Sequence, residues 1–250
     1  MQKAVEPKLR LFVFHHSGGS HLAYRDWPSC FPADWDVHTP DAPGRGLRDA
    51  RPALTDAGAV IDHFLHELDT RLTGHYALFG HSMGGLVAYE LTRRLVDLGR
   101  PPVWLGLSAR GTLRPDGEAT HRHLLSDAEL RRELAAMGGT PSTLLDDEEL
   151  WDMFAPVIRA DLRMSETWRT KPLTAPLPVP LSVFGGTRDQ VAPPHRLDGW
   201  EAASEHFLGR HLFDGDHFYF RDRLQEVTGR IQDDVRRALL LAREPSPVTR

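Results

Sequence analysis

Residues 76–91 read Tyr-Ala-Leu-Phe-Gly-His-Ser-Met-Gly-Gly-Leu-Val-Ala-Tyr-Glu-Leu, and the fold turns on them. Tyr76–Phe79 is a compact apolar run of the kind that forms a buried strand. From Leu86 to Leu98 apolar residues recur at helical spacing, and the pattern stops at Gly99-Arg-Pro-Pro. Between the two, Gly80-His-Ser-Met-Gly84 fits Gly-x-Ser-x-Gly. With a strand before it and a helix after it, this motif predicts a nucleophile elbow. The chain must turn sharply there, and a Cβ at Gly80 or Gly84 would clash across the turn. Ser82 is thereby pushed into a strained, exposed position beside the free N–H groups and positive dipole end of the following helix. The bland alternative is an idle serine in a glycine-flanked turn.

The flanking sequence extends the same rhythm. Leu9–Phe14 is a strand candidate that runs into His15-His16-Ser17-Gly18-Gly19, and Trp35–Pro40 is a second, stopped by Pro40 and the Pro43–Gly46 turn. Thr55–Leu72 carries helical spacing, with Thr55 or Asp56 placed to cap its start. Val103–Leu107, Val179–Phe184 and Glu205–Phe213 are further strands, and a final helix of about twenty residues starts at Phe218. Strands alternating with helices predict an α/β fold, a mostly parallel central sheet flanked by helices.

Residues 109–173 interrupt that rhythm. They hold no convincing strand. Ser126-Asp-Ala-Glu129 predicts a capping box that opens a helix to about Met137. Gly138-Gly139-Thr-Pro141 breaks it, and Asp146–Phe154 and Pro156–Trp168 read as two more helices. A helical insertion between two sheet strands is expected to be a lid over the strand ends, where ligands bind in such sheets; a packed accessory bundle is the alternative. Most of its apolar residues are expected to be helix core. Several of its arginines, among them Arg131, Arg132, Arg159 and Arg163, suit either an acidic docking partner or a plain solvated face. Lys171–Pro180, with four prolines, reads as an extended connector, and residues 244–250 as a disordered tail. The whole chain, 1–250, is read as one domain carrying this insertion.

Composition excludes several classes. The 30 basic and 35 acidic residues give a net charge of −5, which argues against a dedicated nucleic-acid binder. A single cysteine, Cys30, allows neither an internal disulfide nor a cysteine-based zinc site. No apolar run reaches the length of a membrane span, and Met1–Lys8 does not resemble a signal peptide; a cytoplasmic location is expected.

A serine nucleophile needs a base, an acid that orients the base, and donors for the oxyanion. In this architecture the chain order is Ser, acid, His. His217, in Asp214-Gly-Asp-His-Phe218, lies in a glycine turn between the last strand and the last helix and is the expected base. His206 and His211 read as strand residues, and His63, His66, His75 and His195 as ordinary surface or turn histidines. His121 and His123 form a His-x-His pair with no evident third ligand, so no metal is expected. Asp189 follows a strand end and the turn Gly185-Gly-Thr-Arg and is the expected acid. Asp214 and Asp216 are rivals, but they sit too close to His217 to wrap onto its ring. The oxyanion donors are expected to be the backbone N–H groups of Met83 and Ser17, with Gly18 the rival to Ser17.

These motifs resemble the type II thioesterases that accompany modular polyketide and nonribosomal peptide synthases, within the α/β-hydrolase superfamily. The resemblance spans about residues 9–240. It is carried by Leu11–Ser20 (LFVFHHSGGS), Pro40–Gly46 (PDAPGRG), Phe79–Glu90 (FGHSMGGLVAYE), Ala155–Thr167 (APVIRADLRMSET), Val183–Asp189 (VFGGTRD) and Phe213–Phe218 (FDGDHF). It implies the α/β-hydrolase fold, the triad Ser82, Asp189 and His217, and a helical lid over the acyl site. It also implies hydrolysis of stalled or wrong acyl groups from the phosphopantetheine arm of acyl or peptidyl carrier proteins, by a monomer without a metal or diffusible cofactor. Ser17 departs from the family pattern, which often has Ala there; a backbone donor is little affected. Two other readings remain: an esterase or acyltransferase for free small molecules, and a non-catalytic carrier-binding fold.

Overall fold

The computed structural model describes residues 8–45, 51–112, 120–169 and 174–242. Six strands form one sheet: β1 (Leu9–Phe14), β2 (Trp35–His38), β3 (Tyr76–His81), β4 (Trp104–Ser108), β5 (Leu181–Gly186) and β6 (Phe207–Phe213). Their order is β2-β1-β3-β4-β5-β6, and every pair is parallel. Both faces are covered, so the central strands are buried almost throughout. Side-chain alternation divides the core. Phe12, Phe14, Leu78, Leu105, Leu107 and Val183 pack toward α1 (Ala57–Leu68) and α2 (Met83–Asp97). Leu11, Val13, Ala77, Phe79, Trp104 and Phe184 pack toward α6 (Leu224–Leu241).

The strand order reverses direction between β1 and β3. In an open parallel sheet the crevice beyond the strand ends at such a point is where ligands bind. The loop after β1 and the turn after β3, with Ser82, both lie there. The helix α1 starts at Ala57, capped as expected by the Asp56 side chain on the Ala59 N–H at 2.9 Å, but ends at Leu68 rather than Leu72. Two helix starts differ from the sequence expectation. The helix α2 starts directly after Ser82 rather than at Leu86. The last helix starts at Leu224 rather than Phe218, because Tyr219 and Phe220 form a tight 3-10 turn whose rings are buried among aromatic neighbours.

Between β4 and β5 the regular elements among the described residues are all helical: a 3-10 turn (Arg122–Leu124), α3 (Asp127–Met137), α4 (Ser142–Asp146) and α5 (Glu148–Thr167). The capping box forms: Ser126 Oγ accepts the Glu129 N–H, and Glu129 accepts the Ser126 N–H. Gly138 ends α3 in the left-handed conformation, φ +76°. Where two helices were expected around Pro156 there is one, α5, with the proline inside it. The apolar residues Trp151, Ala155, Ile158 and Leu162 follow one helical stripe across Pro156 and pack together with Leu130, Leu134 and Leu145. Pro156 itself is exposed, as is Asp152, whose carbonyl loses the i−4 bond. Water can serve that carbonyl, so tertiary packing carries the helix through. The proposed tail, residues 244–250, and parts of the insertion boundaries, residues 113–119 and 170–173, lie outside the described residues. No helix among the described residues is long and apolar enough to cross a membrane.

Candidate active site

The elbow is built by backbone contact. A Cβ on Gly80 would lie 1.9 Å from the Gly84 carbonyl oxygen, and one on Gly84 would lie 2.1 Å from the Phe14 oxygen. Only glycine lets β1, β3 and the first turn of α2 approach so closely. Ser82 then takes φ 55° and ψ −113°, a conformation that L residues rarely adopt, and is held there by its N–H donating to the Ser108 carbonyl at 2.8 Å.

His217 and Asp189 are brought together by two turns that bond to each other. The Thr187 N–H donates to Phe213 O at 2.9 Å, and the Arg188 N–H to Gly215 O at 2.8 Å. Asp189 Oδ2 accepts from His217 Nδ1 at 2.8 Å, with both side chains buried. Its Oδ1 accepts the Val191 and Ala192 N–H groups at 2.8 and 2.9 Å. Burial pushes the Asp189 pKa up, but the bonds from His217, Ala192 and Val191 outweigh it and hold the carboxyl below its ordinary value. Asp214 pairs with Arg188 and, at 3.6 Å, with Arg223; Asp216 accepts the Phe218 N–H at 2.7 Å. Both rivals therefore shape the turn and neither bonds to the ring. His217 Nε2 is buried without a hydrogen-bond partner, and no bond joins it to Ser82. Such contacts often form only with substrate in place.

Three buried histidines that sequence reasoning left without a role lie nearby, His81 and His16 beside His217 and His15 at the start of the loop after β1. His81 is fully buried, its ring 5.0 Å from that of His217, and its Nδ1 contacts Ser108 Oγ at 2.7 Å. Ser108 in turn contacts Tyr219 OH at 2.7 Å. His16 packs edge-on against Phe218, with ring centroids 4.9 Å apart, and lies 6.2 Å from His81. His15 Nε2 accepts the Ala42 N–H at 3.3 Å, and its Nδ1 contacts the His16 carbonyl at 2.8 Å. All three are held neutral. Burial is the main cause, with nearby positive groups adding to it, and His16 is lowered to about 3. The motif position of His81 and the doubled His15-His16 were the available signals; burial was not readable from them.

The loop after β1 curls so that the Gly19 N–H donates to the His16 carbonyl at 3.0 Å. The Gly18 N–H donates to Asp161 Oδ2 at 2.7 Å. Gly18 is thus committed elsewhere, whereas the N–H groups of Ser17 and Met83 have no acceptor among the described residues. Arg45 and Asp161, which sequence reasoning gave no role, form a buried ion pair beside this loop. His121 and His123 lie far from forming a metal centre: His123 Nδ1 bonds Glu166 at 2.6 Å, and no cluster of three His, Cys, Asp or Glu side chains suited to a metal occurs among the described residues.

A family model described as "Thioesterase domain" matches residues 9–235. The gramicidin S biosynthesis protein GrsT of Aneurinibacillus migulanus is 29% identical over 221 residues, 88% of this chain and 86% of that protein. Among solved structures, the type II thioesterase BorB from the borrelidin biosynthetic cluster is 32% identical, with a TM-score of 0.84 over 94% of this chain and 95% of its own. RedJ, a thioesterase from the prodiginine pathway in Streptomyces coelicolor, is 32% identical, with a TM-score of 0.83 over the same shares.

Proposed function

Since the chain belongs to the thioesterase-domain family of α/β-hydrolases, we propose that it is a type II thioesterase that clears acyl groups from the phosphopantetheine arm of carrier proteins in polyketide or nonribosomal peptide biosynthesis. The observation that carries this reading is the buried His217–Asp189 pair at 2.8 Å beside a serine held at φ 55° on a nucleophile elbow. Relatives from gramicidin S, borrelidin and prodiginine biosynthesis support the substrate class.

In the proposed reaction Asp189 fixes the His217 ring with Nδ1–H toward the carboxylate, leaving Nε2 as the base. Ser82 Oγ attacks the thioester carbonyl carbon as its proton passes to Nε2. The carbonyl oxygen becomes an oxyanion, met by the N–H groups of Met83 and Ser17. The C–S bond then breaks, and the pantetheine sulfur leaves with the proton from His217. Water, deprotonated by His217, adds to the acyl-serine, and collapse releases the carboxylic acid and restores Ser82. The helices of 109–173 act as a cap over the acyl chain, as an insertion within the single domain that the whole chain forms.

Hydrolysis of acetyl-, propionyl- and longer acyl-carrier proteins is compared with the same acyl groups on a short pantetheine mimic and on a nitrophenyl ester, with Ser82→Ala as the blank. A much higher kcat/KM on carrier-bound substrates is expected. Equal or better turnover of the free esters would make the protein a general esterase. Unchanged turnover by Ser82→Ala would remove the serine from the mechanism, and absence of any turnover would leave a non-catalytic carrier-binding fold.

A further inference from the structure

Asp161 lies on α5, within the helical insertion, 116 positions from Arg45 in sequence. Each side chain is only 4% exposed, and a guanidinium nitrogen of Arg45 bonds directly to Asp161 Oδ2. The same carboxylate oxygen accepts the Gly18 N–H at 2.7 Å. Arg45 reaches the loop as well: its Nε donates to the Gly19 carbonyl at 2.9 Å, and its Nη1 to Pro43 O at 3.1 Å. A buried ion pair is a weak source of stability, because desolvation consumes most of the Coulombic gain. Burial raises the Asp161 pKa, and Arg45 and the Gly18 N–H offset part of that rise. What the pair does supply is fixed geometry on both sides of one short stretch of backbone.

That stretch is the one that carries Ser17. The His16 carbonyl is held by the Gly19 N–H, and in a trans peptide the Ser17 N–H points the opposite way. The next peptide is held by Asp161 through the Gly18 N–H, and the Gly19 carbonyl by Arg45. One turn before Asp161 on α5, Ile158 lies against Gly18, which has φ +71°; a Cβ there would meet Ile158 Cγ1 at 2.8 Å. The helix therefore both covers the loop and bonds to it.

We propose that Asp161, held by Arg45, is a positioning residue for the oxyanion loop: it commits the Gly18 N–H and locks the backbone that presents the Ser17 N–H to the reacting carbonyl. This rests on the thioesterase reading above for the reaction, but not on the identity of the substrate. Helix α5 is thereby part of the catalytic apparatus as well as its cover.

The test compares Asp161→Asn and Arg45→Lys with wild type on an acyl-carrier protein and on a nitrophenyl ester. The Asp161→Asn variant keeps an acceptor for Gly18 but loses the charge that fixes Arg45. The Arg45→Lys variant keeps a charge but loses the fork that bridges Asp161 and Gly19. Losing one oxyanion donor costs about 10²–10³ in kcat, so a fall of ~10²-fold with KM changed by less than about threefold is expected for either variant. A second readout separates positioning from simple loosening of the fold. Ser82 Oγ adds to the carbonyl carbon of a trifluoromethyl ketone analogue of the acyl chain, its proton passing to His217 and the ketone oxygen becoming an alkoxide. Affinity for this ketone should fall in step with kcat, while affinity for the product acid stays near wild type. In wild-type protein, the amide resonance of Ser17 should move on adduct formation and that of Gly18 should not, a measurement that needs no variant. Wild-type kcat in the variants, parallel loss of ketone and acid affinity, or a shift of Gly18 instead of Ser17 would overturn the inference. A defect on the nitrophenyl ester alongside inactivity on carrier substrates would uphold it while removing the carrier-protein reading.

Discussion

The neutral His16 makes a quantitative prediction about acid stability. Its ring is buried against Phe218, and its pKa is lowered to about 3 by burial and then by Arg221, His217 and Arg45. In the unfolded chain the same ring titrates near about 6.5. Between those values the unfolded state binds a proton that the native state does not, so stability falls as pH falls. The loss grows by about 1.4 kcal/mol per pH unit below the unfolded value and levels off near the native one. From pH 7 to pH 5 this single histidine removes about 2 kcal/mol. His15 and His81 are lowered as well, and their contributions have the same sign.

The perturbation is His16→Phe, which keeps a planar ring against Phe218 and deletes the titrating nitrogens. Any packing cost of the larger ring is independent of pH and cancels in the comparison. Urea denaturation at pH 7, 6 and 5 gives the unfolding free energy of both proteins. The variant should lose about 2 kcal/mol less than wild type between pH 7 and pH 5. Parallel curves, within about 0.5 kcal/mol across that range, would mean that His16 takes up its proton over the same pH range in the native and unfolded states, and the electrostatic account of the site would fall.

Three further outcomes follow from named contacts. Asp189→Asn should keep the fold but weaken the bond that sets the His217 tautomer, lowering kcat by about 10³–10⁴-fold; a loss under tenfold would put the acid elsewhere. Pro156→Ala restores an N–H to the exposed face of α5 and should stabilise the protein by about 1 kcal/mol or more, read as a rise in urea midpoint; a fall would mean that the proline holds a bend the packing needs. Arg221 donates to the carbonyls of Gly138 and Gly139 and lies 4.6 Å over the Phe218 ring. Arg221→Met should speed hydrogen exchange at the end of α3 by at least tenfold while leaving the strands unchanged; equal exchange would show that the insertion is anchored without it.

How much of this was legible in the sequence depended on the range of the interaction. The elbow could be read because strand, glycine turn and helix are contiguous at residues 76–98, and glycine is informative where backbones meet. The Ser126–Glu129 capping box could be read because both partners lie within one turn. Pro156 misled for the same reason: its local preference is helix-breaking, but the stripe Trp151, Ala155, Ile158 and Leu162 is satisfied only by packing against α3 and α4. The arginines of the insertion looked alike in sequence. In the fold, Arg131 pairs with Glu148 and Arg159 with Asp127, while Arg132 and Arg163 stay exposed. Arg45 and Asp161 stood inside motifs that marked the family, yet nothing in either motif reveals that two charges so distant in sequence meet in the core.

That meeting also bears on the charge balance around His217. In the proposed reaction the transition state adds a positive charge on His217 and a negative one on the carbonyl oxygen. A nearby uncompensated cation would oppose the first, and the field of Arg45 does reach His15 and His16. Asp161 neutralises that guanidinium, and burial keeps His15, His16 and His81 uncharged. Asp189 remains as the ionised group bonded to the ring, with its carboxyl held below the ordinary range. The Asp189–His217 pair then carries one negative charge before proton transfer and is an ion pair after it. In that proposal the oxyanion is left to backbone dipoles, whose aim depends on Asp161 and Arg45. The same salt bridge therefore compensates a cation beside His15 and His16 and, in the reading proposed above, fixes the donors for the oxyanion. Separating the partners should impair both, whereas the loss of a surface ion pair such as Arg236–Asp233 should impair neither.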